Sequence, residues 1–546
     1  MTHNIELQTK ALIDDLKSTC GSYGLGNDGN EYKIIIQIFL YKFINDKFGY
    51  EVKNTDTPYR DRILKADNWE SGLKSLTEDE YEDLVEYNMP PSSPKLKPEH
   101  FISTLWNQQA KGDFATILDA TLVDVGNYNA SIFSVKTAND TSVTLFENIT
   151  NYIPDSAQRD DFAKALISRL ANFNFEQVFG QKYDFFATIF EYLIKDYNKD
   201  GGGKYAEYYT PHSVATIMSR LLVKEGDRVQ DVSCYDPSAG SGTLLMSIAH
   251  AIGEDKCSIY SQDISQKSSK MLRMNLILNN LVHSIHNVIQ GDTLANPYHK
   301  SEDGTLKEFD FIVSNPPFKL DFSDNRALLA ANTGRFWAGV PKVPNKDKDK
   351  MSIYLCFLQH IMNSLSDKGK AAVVIPTGFI TAKSGIERKI RERMVEKKMI
   401  AGVVSMPSNI FATTGTNVSV LFLDKTNKTD KVVLIDASKL GVTIKDDGNQ
   451  RTKLESADED KIVNAFHNQE AIDDFSVVVS YDEIIEKGYS FSAGQYFDIK
   501  IEYVEITADE FKEKMDAHKA ALKTLFSESS SLEADILKNL EGLRYE

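Results

Sequence analysis

Four consecutive residues, Asn315-Pro316-Pro317-Phe318, could hold an aromatic amine in a reactive orientation. The prolines fix the backbone and lack amide donors, so carbonyl oxygens stay free as acceptors. The Asn315 side-chain oxygen and the Pro316 carbonyl could then accept both hydrogens of an amino group and direct its lone pair at an electrophile. Such a reaction depends on positioning rather than on a strong base. Phe318 adds a flat face on which a base could stack, although a proline-stiffened loop with a buried phenylalanine is the simpler interpretation of these residues alone.

A glycine-rich turn precedes this motif, in the run Asp236-Pro237-Ser238-Ala239-Gly240-Ser241-Gly242-Thr243. In an open α/β sheet, ligands bind at the carboxyl ends of strands, where such a turn lets the backbone approach closely. Asp263 follows the next expected strand, where a carboxylate can accept hydrogen bonds from ribose hydroxyls, and Asp292 follows the third, placed to reach an adenine ring. Each aspartate alone would be interpreted as a helix cap or turn residue. Together, the three strand ends predict a nucleoside-like ligand.

The acidic residue before the turn distinguishes two kinds of nucleoside cofactor. A dinucleotide would place its pyrophosphate at the helix N-terminus, where Asp236 would repel it. A cationic sulfonium that carries an amino-acid group suits the same carboxylate. The sequence therefore favours S-adenosylmethionine over NAD, and the two motifs together predict methyl transfer to an exocyclic amino nitrogen. A base within a duplex could reach such a pocket only by flipping out of the stack.

These motifs need strands that end beside one another, and short β-rich runs do alternate with helical stretches after Lys204. The expected strands are Val229–Cys234, Ser258–Gln262, Asn287–Gln290, Phe309–Ser314, Ala371–Pro376, Ile400–Ser405 and Val418–Leu423, with Val432–Ile435 as a candidate edge strand. Such alternation predicts a doubly wound α/β sheet of the Rossmann-like kind found in S-adenosylmethionine-dependent methyltransferases.

Helical regions flank the expected sheet. Residues 1–155 are predicted to form a helical accessory domain, in which Tyr32–Phe48 carries a broad apolar stripe. The helical pattern continues through Arg159–Tyr197 to a glycine-rich break at Lys199–Lys204. Residues 156–500 are the predicted catalytic domain, and residues 501–546 are a C-terminal helical segment that folds back on the chain's own core or binds a partner.

The C-terminal segment opens with Thr507 and Glu510 in a capping-box pattern. Its apolar residues at heptad spacing are Met515, Leu522, Leu525, Leu532, Ile536 and Leu543. The serine-rich stretch Ser527–Ser531 could divide the segment into two helices.

The charge of −17, from 62 basic and 79 acidic residues, restricts how this chain could act on nucleic acid. Because phosphate contacts dominate DNA affinity, such a chain would confine its basic residues to one face or borrow affinity from a partner. An ordinary solubility charge is the alternative.

The N-terminus lacks a signal-peptide pattern, and no apolar run approaches the ~20 residues of a membrane span.

The four cysteines exclude one rival chemistry. Methylation of cytosine carbon needs a cysteine nucleophile, usually after proline, whereas Cys20, Cys234, Cys257 and Cys356 follow Thr19, Ser233, Lys256 and Leu355. They are scattered, without a CxxC pair, which predicts neither zinc nor disulfides and favours a cytoplasmic setting.

No complete GxxxxGK[ST] loop is present for ATP hydrolysis. Cytosine N4, protein glutamine and RNA amino groups, or a degenerate scaffold, remain as alternatives.

The pairing of Asp236–Gly242 with Asn315–Phe318 resembles the amino-group DNA methyltransferases, and more narrowly the modification (M) subunits of type I restriction-modification systems. The stretch Glu207-Tyr208-Tyr209-Thr210-Pro211-His212 resembles the family's segment around the methionine end of the cofactor. Val404–Phe411 with Thr414–Thr416, and Ser492–Tyr496, resemble its later signatures, and the motif order is that of the γ class. Asp263 stands where the family often has Glu.

The resemblance implies methylation of adenine N6 in double-stranded DNA. It also implies a separate specificity (S) subunit that reads the sequence, typically with two M per S, and a restriction (R) subunit that can join them. It makes the C-terminal segment a candidate dock for the S subunit. Arg326, Arg335, Lys342 and Lys346, after the amine motif, are candidates for DNA contact or for a solvated loop.

Overall fold

The computed structural model describes residues 2–26, 30–91, 93–133, 135–136, 142–143, 145–179, 189, 192, 210–411, 417–427, 429–446, 449–497 and 506–541. Met1–Tyr496 forms one compact unit and Phe497–Glu546 a second. Among the described residues, no helix combines the length and apolar character needed to cross a bilayer.

Helices build the first part of the larger unit. They are α1 (Thr2–Ser22), α2 (Glu31–Asn54), α3 (Arg60–Lys65), α4 (Trp69–Lys74), α5 (Glu78–Asp83), α6 (Ile102–Asn107), α7 (Phe114–Tyr128), α8 (Ala130–Phe133) and α9 (Arg159–Ala171). The predicted helix over Tyr32–Phe48 is confirmed as part of α2, whose apolar side chains are buried on most sides. A small antiparallel pair, β1 (Val135–Lys136) and β2 (Ser142–Val143), was not expected in this region.

Of the helical run predicted over Arg159–Tyr197, α9 accounts for the first part. The break at Lys199–Lys204 lies outside the described residues.

Short 3-10 turns occupy Pro98–His100, Thr150–Tyr152, Ser156–Gln158, Glu176–Val178, Val282–Asn287, Lys348–Lys350, Thr377–Ile380 and Ala493–Gln495, and a π-helical turn occupies Leu84–Asn88. The division of the chain near residue 155 stays a prediction.

A nine-stranded sheet lies at the centre of the described part of this unit. Its strands are β3 (Val232–Asp236), β4 (Cys257–Asp263), β5 (Val288–Gln290), β6 (Phe309–Ser314), β7 (Leu365–Pro376), β8 (Ile400–Ser405), β9 (Val418–Asp424), β10 (Lys431–Asp436) and β13 (Ser476–Ser480). The order across the sheet is β13-β10-β8-β9-β7-β6-β3-β4-β5. Two further strands, β11 (Val442–Asp446) and β12 (Asn449–Lys453), form a separate hairpin.

The doubly wound fold is confirmed, and one detail of it was wrong. Val432–Ile435 lies inside the sheet rather than at its edge, because β10 pairs in parallel with β8 and antiparallel with β13. The five residues of β13 directly precede a helix, and an antiparallel neighbour needs no crossover of its own, so the alternating pattern did not reveal this strand.

Strand direction decides which loops meet. β3 to β7 run in parallel, and β9 runs against both β7 and β8, so β8 again points the same way as β6. The ends of these parallel strands therefore share one edge of the sheet. We call this the carboxyl edge; it includes Asp236, Asp263, Ser314 and Ser405.

The remaining helices of the larger unit are α10 (His212–Leu222), α11 (Thr243–Ile252), α12 (Gln266–Leu278), α13 (Arg326–Ala331), α14 (Tyr354–Asn363), α15 (Gly385–Glu396), α16 (Ser456–His467) and α17 (Tyr481–Glu486). Alternate residues of β3 serve opposite faces of the sheet. Cys234 belongs to the core shared with α10 to α12. Tyr235 stacks on Phe309 and lies within hydrogen-bond distance of His360 on α14. Burial on both faces explains why the central strands are almost continuously apolar.

The second unit contains α18 (Ala508–Glu541). The capping box is confirmed, since Glu510 accepts from the Thr507 amide at 2.9 Å and donates its own amide to the Thr507 hydroxyl at 3.3 Å. The expected division at Ser527–Ser531 was wrong, because α18 continues through these serines. Serine lowers helix stability by only ~0.5 kcal/mol per residue. Leu543 lies outside the described residues.

Candidate cofactor and amine site

The glycine-rich turn joins β3 to α11 and cannot carry side chains at every position. Gly240 and Gly242 have φ values of 53° and 87°, in the left-handed region. The Gly242 amide donates to the Ala239 carbonyl at 2.8 Å, and α11 begins at Thr243. A Cβ atom on Gly242 would lie 2.1 Å from Leu272 Cδ1. The turn therefore needs glycine at 242 both for its backbone angle and for its closeness to α12.

Asp236 ends β3 as a buried carboxylate, 1% exposed. Its Oδ1 accepts from the Ser238 amide at 2.9 Å. Burial raises its pKa to about 7, because this effect outweighs the lowering of the pKa by hydrogen bonds from Ser238 and Ser314. A cationic group beside Asp236 would favour its ionised form, which suits the sulfonium and amino groups of the expected cofactor.

The hydroxyls of Ser238 and Ser314 lie 2.8 Å apart. Ser238 belongs to the glycine-rich turn, and Ser314 is the last residue of β6, directly before Asn315. This contact links the two predicted motifs. The sequence interpretation passed over Ser314, whose position directly before the amine motif was the available signal.

Asp263 holds the turn from the neighbouring strand. It is 8% exposed, and its two oxygens accept from the Gly240 amide at 2.9 Å and the Ser265 amide at 2.8 Å. Burial raises the pKa of this carboxyl. Each oxygen keeps a further lone pair for a ligand. Asp263 thus lies beside the turn, as its sequence position predicted.

Asp292 and Thr293 extend the site to the loop after β5. Asp292 accepts from the amides of Leu294 and Ala295 at 2.9 and 3.0 Å and from the Asn325 side chain at 3.1 Å. The buried Thr293 hydroxyl donates to the Pro237 carbonyl at 2.7 Å. The third strand end therefore contacts the turn through Thr293, a residue that the sequence interpretation had not selected.

The Asn315 side chain is held by a residue from another part of the chain. Its Nδ2 donates to the Thr210 hydroxyl at 3.2 Å, and Thr210 is buried ahead of α10. Because the amide nitrogen faces Thr210, the Oδ1 atom faces elsewhere and is available as an acceptor. Pro316 is buried, whereas Pro317 and Phe318 are partly exposed. The arrangement agrees with an amine pocket at the end of β6.

An aromatic row extends from Phe318 along the carboxyl edge. The Phe318 and Tyr354 rings are 6.3 Å apart at 73°, and the Tyr354 and Phe379 rings are 6.2 Å apart at 80°. Edge-to-face contacts of this kind stabilise a fixed ring orientation. Tyr354 and Phe379 lie 36 and 61 residues after Phe318 in sequence, and no pattern there pointed to them.

The structure describes only part of the stretch expected around the methionine end of the cofactor. Pro211 is buried and His212 begins α10. Glu207, Tyr208 and Tyr209, with Thr414–Thr416, lie outside the described residues.

The expectation for the basic residues after the amine motif was wrong for Arg335. It is 8% exposed, and its guanidinium donates to the Leu294 carbonyl and lies over the Phe336 ring, so it belongs to the interior. Arg326 donates to the Pro341 carbonyl at 3.0 Å. Lys342 and Lys346 are exposed.

The residues just before Ser492–Tyr496 are held to the carboxyl edge, in part by a buried arginine. Arg391 of α15 donates to the carbonyls of Phe379, Ala382 and Tyr489. The Phe491 amide donates to the Ile380 carbonyl at 3.0 Å. The loop after β7 and the end of the larger unit are thus joined beside the aromatic row.

Comparisons with known proteins agree with this geometry. A family model described as N-6 DNA Methylase matches residues 181–503, more than half of the chain. The type I restriction enzyme MpnII methylase subunit of Mycoplasma pneumoniae is 27% identical over 392 residues, covering 70% of each protein. The HindI methylase subunit of Haemophilus influenzae is 26% identical over 386 residues, covering 68% of this chain and 82% of that subunit.

A solved structure shares the fold. The crystal structure of a type I restriction-modification system methyltransferase subunit from Streptococcus thermophilus matches with a TM-score of 0.71 at 23% identity, covering 90% of this chain and 99% of that one.

Proposed function

The chain belongs to the N-6 DNA methylase family, and from this premise we propose that its Asn315–Phe318 pocket methylates adenine N6 as the modification subunit of a type I restriction-modification complex. Membership makes the protein an S-adenosylmethionine-dependent DNA methyltransferase. The observation that carries the site assignment is the pair of contacts at the end of β6: Asn315 to Thr210, and Ser314 to Ser238 of the cofactor turn.

S-adenosylmethionine supplies an electrophilic methyl group when it is bound. Its positively charged end would lie by Asp236, the ribose by Asp263 and the adenine by Asp292. Two features support this fit: Asp236 is buried at a strand end, and the backbone at Gly242 leaves no room for a side chain. Thr210, Pro211 and His212, with Glu207–Tyr209, would border the methionine portion.

Asn315 and Pro316 would orient the acceptor. The Asn315 Oδ1 and the Pro316 carbonyl each accept one hydrogen of the adenine amino group, so the nitrogen lone pair leaves conjugation and points at the methyl group. Asn315 and Pro316 would hold this nitrogen towards the methyl group that S-adenosylmethionine supplies, and one amino proton would leave to water. Phe318 stacks on the base, which must flip out of the duplex to arrive there.

Replacing Asn315 tests the pocket. Asn315→Ala should lower methyl transfer to DNA by at least about 100-fold, the usual effect of losing one positioned polar group, while affinity for S-adenosylmethionine stays within about twofold. Transfer is measured with a tritiated methyl group and affinity by calorimetry. The matched control is Asn54→Ala, which removes an exposed asparagine of α2. Equal transfer by both variants would refute the assignment.

Replacing Phe318 tests stacking. Phe318→Ala should reduce transfer about 10- to 100-fold, because base stacking on an aromatic ring stabilises by ~1–3 kcal/mol. Phe318→Trp keeps a flat face and should recover most of the rate. Mass spectrometry of the digested DNA should find N6-methyladenine; N4-methylcytosine would favour the cytosine alternative.

The proposed partners follow from charge and from α18. A chain of −17 holds duplex DNA more readily with an S subunit that supplies affinity and sequence recognition. The exposed apolar residues of α18 are Phe511, Met515, Leu522, Leu525, Phe526, Leu532, Ile536, Leu537 and Leu540. A helix with such side chains suits a partner helix. We propose two M per S in the cytoplasm, with an R subunit able to join.

Truncation after Tyr496 removes the second unit and tests the dock. The shortened chain should keep its affinity for S-adenosylmethionine but no longer co-purify with an S subunit encoded beside it. Co-purification equal to that of the full chain would place the dock elsewhere. Robust sequence-specific methylation by the full chain alone would contradict the subunit assignment.

A further inference from the structure

The β11–β12 hairpin presents two faces of different character. Its cross-strand pairs are Val442–Lys453, Thr443–Thr452, Ile444–Arg451, Lys445–Gln450 and Asp446–Asn449. Paired residues lie on the same face of a hairpin. Because side chains alternate along each strand, one face carries Thr443, Lys445 and Thr452, and the other carries Val442, Ile444, Arg451 and Lys453.

Thr452 attaches the hairpin to the loop that follows β8. The Thr452 amide donates to the Asn409 carbonyl at 3.0 Å, and its hydroxyl donates to the Ser408 carbonyl at 2.7 Å. Thr452 is 7% exposed, and Leu454 at the base of the hairpin is buried. The opposite face is open, with Val442 54% and Ile444 38% exposed.

The attachment point lies on the carboxyl edge. Ser408 and Asn409 follow Ser405, the end of β8, and β8 is three strands from β6 in the sheet. At ~4.8 Å between neighbouring strands, this puts the attachment about 14 Å along the edge from Asn315. A duplex whose adenine entered the pocket would extend well past this distance.

The hairpin is basic within an acidic chain. Residues 439–453 contain four basic residues, Lys439, Lys445, Arg451 and Lys453, and two acidic ones, Asp446 and Asp447, a net charge of +2 against −17 for the whole chain. Lys445 and Lys453 are exposed. Lysines near a duplex bind phosphates without regard to sequence.

We propose that the β11–β12 hairpin is a DNA-backbone contact of this methyltransferase, seated against the duplex beside the flipped adenine. A two-stranded ribbon fits the major groove, whose width is ~12 Å. Arg451 and Lys453 would contact phosphates, and Val442 and Ile444 would lie over sugars or thymine methyl groups. The proposal rests on the function assigned above. The hairpin would give the carboxyl edge a positively charged surface for DNA in a chain whose net charge is −17.

Paired replacements test the hairpin. Arg451→Gln with Lys453→Gln removes two positive charges from its open face, and Lys368→Gln with Lys397→Gln removes two exposed charges at the amino ends of β7 and β8, on the opposite edge. Binding of the full chain to a fluorescent duplex is measured against salt concentration. The hairpin variant should bind more weakly, with a slope of log Kd against log salt reduced by about 1.8, two contacts at ~0.9 each.

The remaining measurements separate this proposal from the function on which it rests. The hairpin variant should keep its affinity for S-adenosylmethionine and its rate of methyl transfer at saturating DNA. Equal duplex binding by the two double variants would overturn the proposal. A Val442→Ser/Ile444→Ser variant that binds the S subunit more weakly but DNA unchanged would also overturn it, because the open face would then bind protein. A wild-type chain that binds duplex through the hairpin but transfers no methyl group even with its S subunit present would refute the function alone.

Discussion

The Asn315 side chain donates its amide hydrogen to the hydroxyl of Thr210, a residue 105 positions earlier in the chain, at 3.2 Å. This contact sets which end of the carboxamide is available to a substrate. An amide whose oxygen faced Thr210 would present hydrogens, not an acceptor, to the adenine amino group.

Thr210→Val should therefore slow methyl transfer roughly 10-fold, the equivalent of one neutral hydrogen bond of ~1.4 kcal/mol. Thr210→Ser, which keeps the hydroxyl, should stay within about twofold of the wild type. The measurement is the single-turnover rate at saturating DNA and cofactor. If Thr210→Val changed only the affinity for S-adenosylmethionine, Thr210 would serve the cofactor and not Asn315.

Gly242→Ala and Gly226→Ala form a matched pair. Both positions have φ near +90°, but a Cβ on Gly226 meets nothing within 4 Å, whereas one on Gly242 meets Leu272. Gly226→Ala should lower the free energy of unfolding by about 1 kcal/mol, the penalty of the left-handed backbone. Gly242→Ala should add about 1–3 kcal/mol for overpacking. Urea denaturation measures both, and equal losses would mean that α12 moves aside without penalty.

Asp236 should make cofactor binding depend on pH. Burial raises its pKa from 3.8 to about 7, so the folded protein holds a proton that the unfolded chain releases. The stability from this group is present below its ordinary pKa and is lost as pH rises through about 7. A cationic cofactor favours the carboxylate, so affinity should rise up to about tenfold per pH unit below 7 and then level off. Calorimetry should show this for the wild type and a flat profile for Asp236→Asn.

Arg391 should stabilise the protein through its hydrogen bonds to three backbone carbonyls. Its side chain is fully buried, and burial lowers its pKa to about 10, which leaves it charged at neutral pH. Arg391→Met strands the carbonyls of Phe379, Ala382 and Tyr489 and should destabilise the protein by about 3 kcal/mol or more. Hydrogen exchange should rise in residues 489–496. Lys389→Ala, an exposed change on the same helix, should cost less than about 0.5 kcal/mol.

Motif positions could be predicted from the sequence because parallel strands end at a common edge. Once Asp236, Asp263 and Asn315 were placed at or just after strand ends, their common neighbourhood could be expected without knowledge of any contact. The Thr210–Asn315 bond and the row of Phe318, Tyr354 and Phe379 could not be predicted in this way. They depend on how separate loops pack, and packing leaves no period in the sequence.

Arg335 shows a different reason for error. An arginine in a polar loop is usually solvated, but Arg335 packs over Phe336 while its guanidinium reaches the Leu294 carbonyl. Its long side chain can serve an apolar surface and a polar partner together. Composition alone cannot distinguish such an arginine from one that contacts phosphate.

The reversed strand β9 has an evolutionary consequence. Because β9 runs against β7 and β8, the chain leaves β8 and enters β9 at the same edge as the pocket, and the Met406 amide closes this connection on the Val418 carbonyl at 3.0 Å. Insertions between these two residues would lengthen the connection at this edge without shifting any strand register. Homologous enzymes could therefore diversify there while inheriting the cofactor half unchanged.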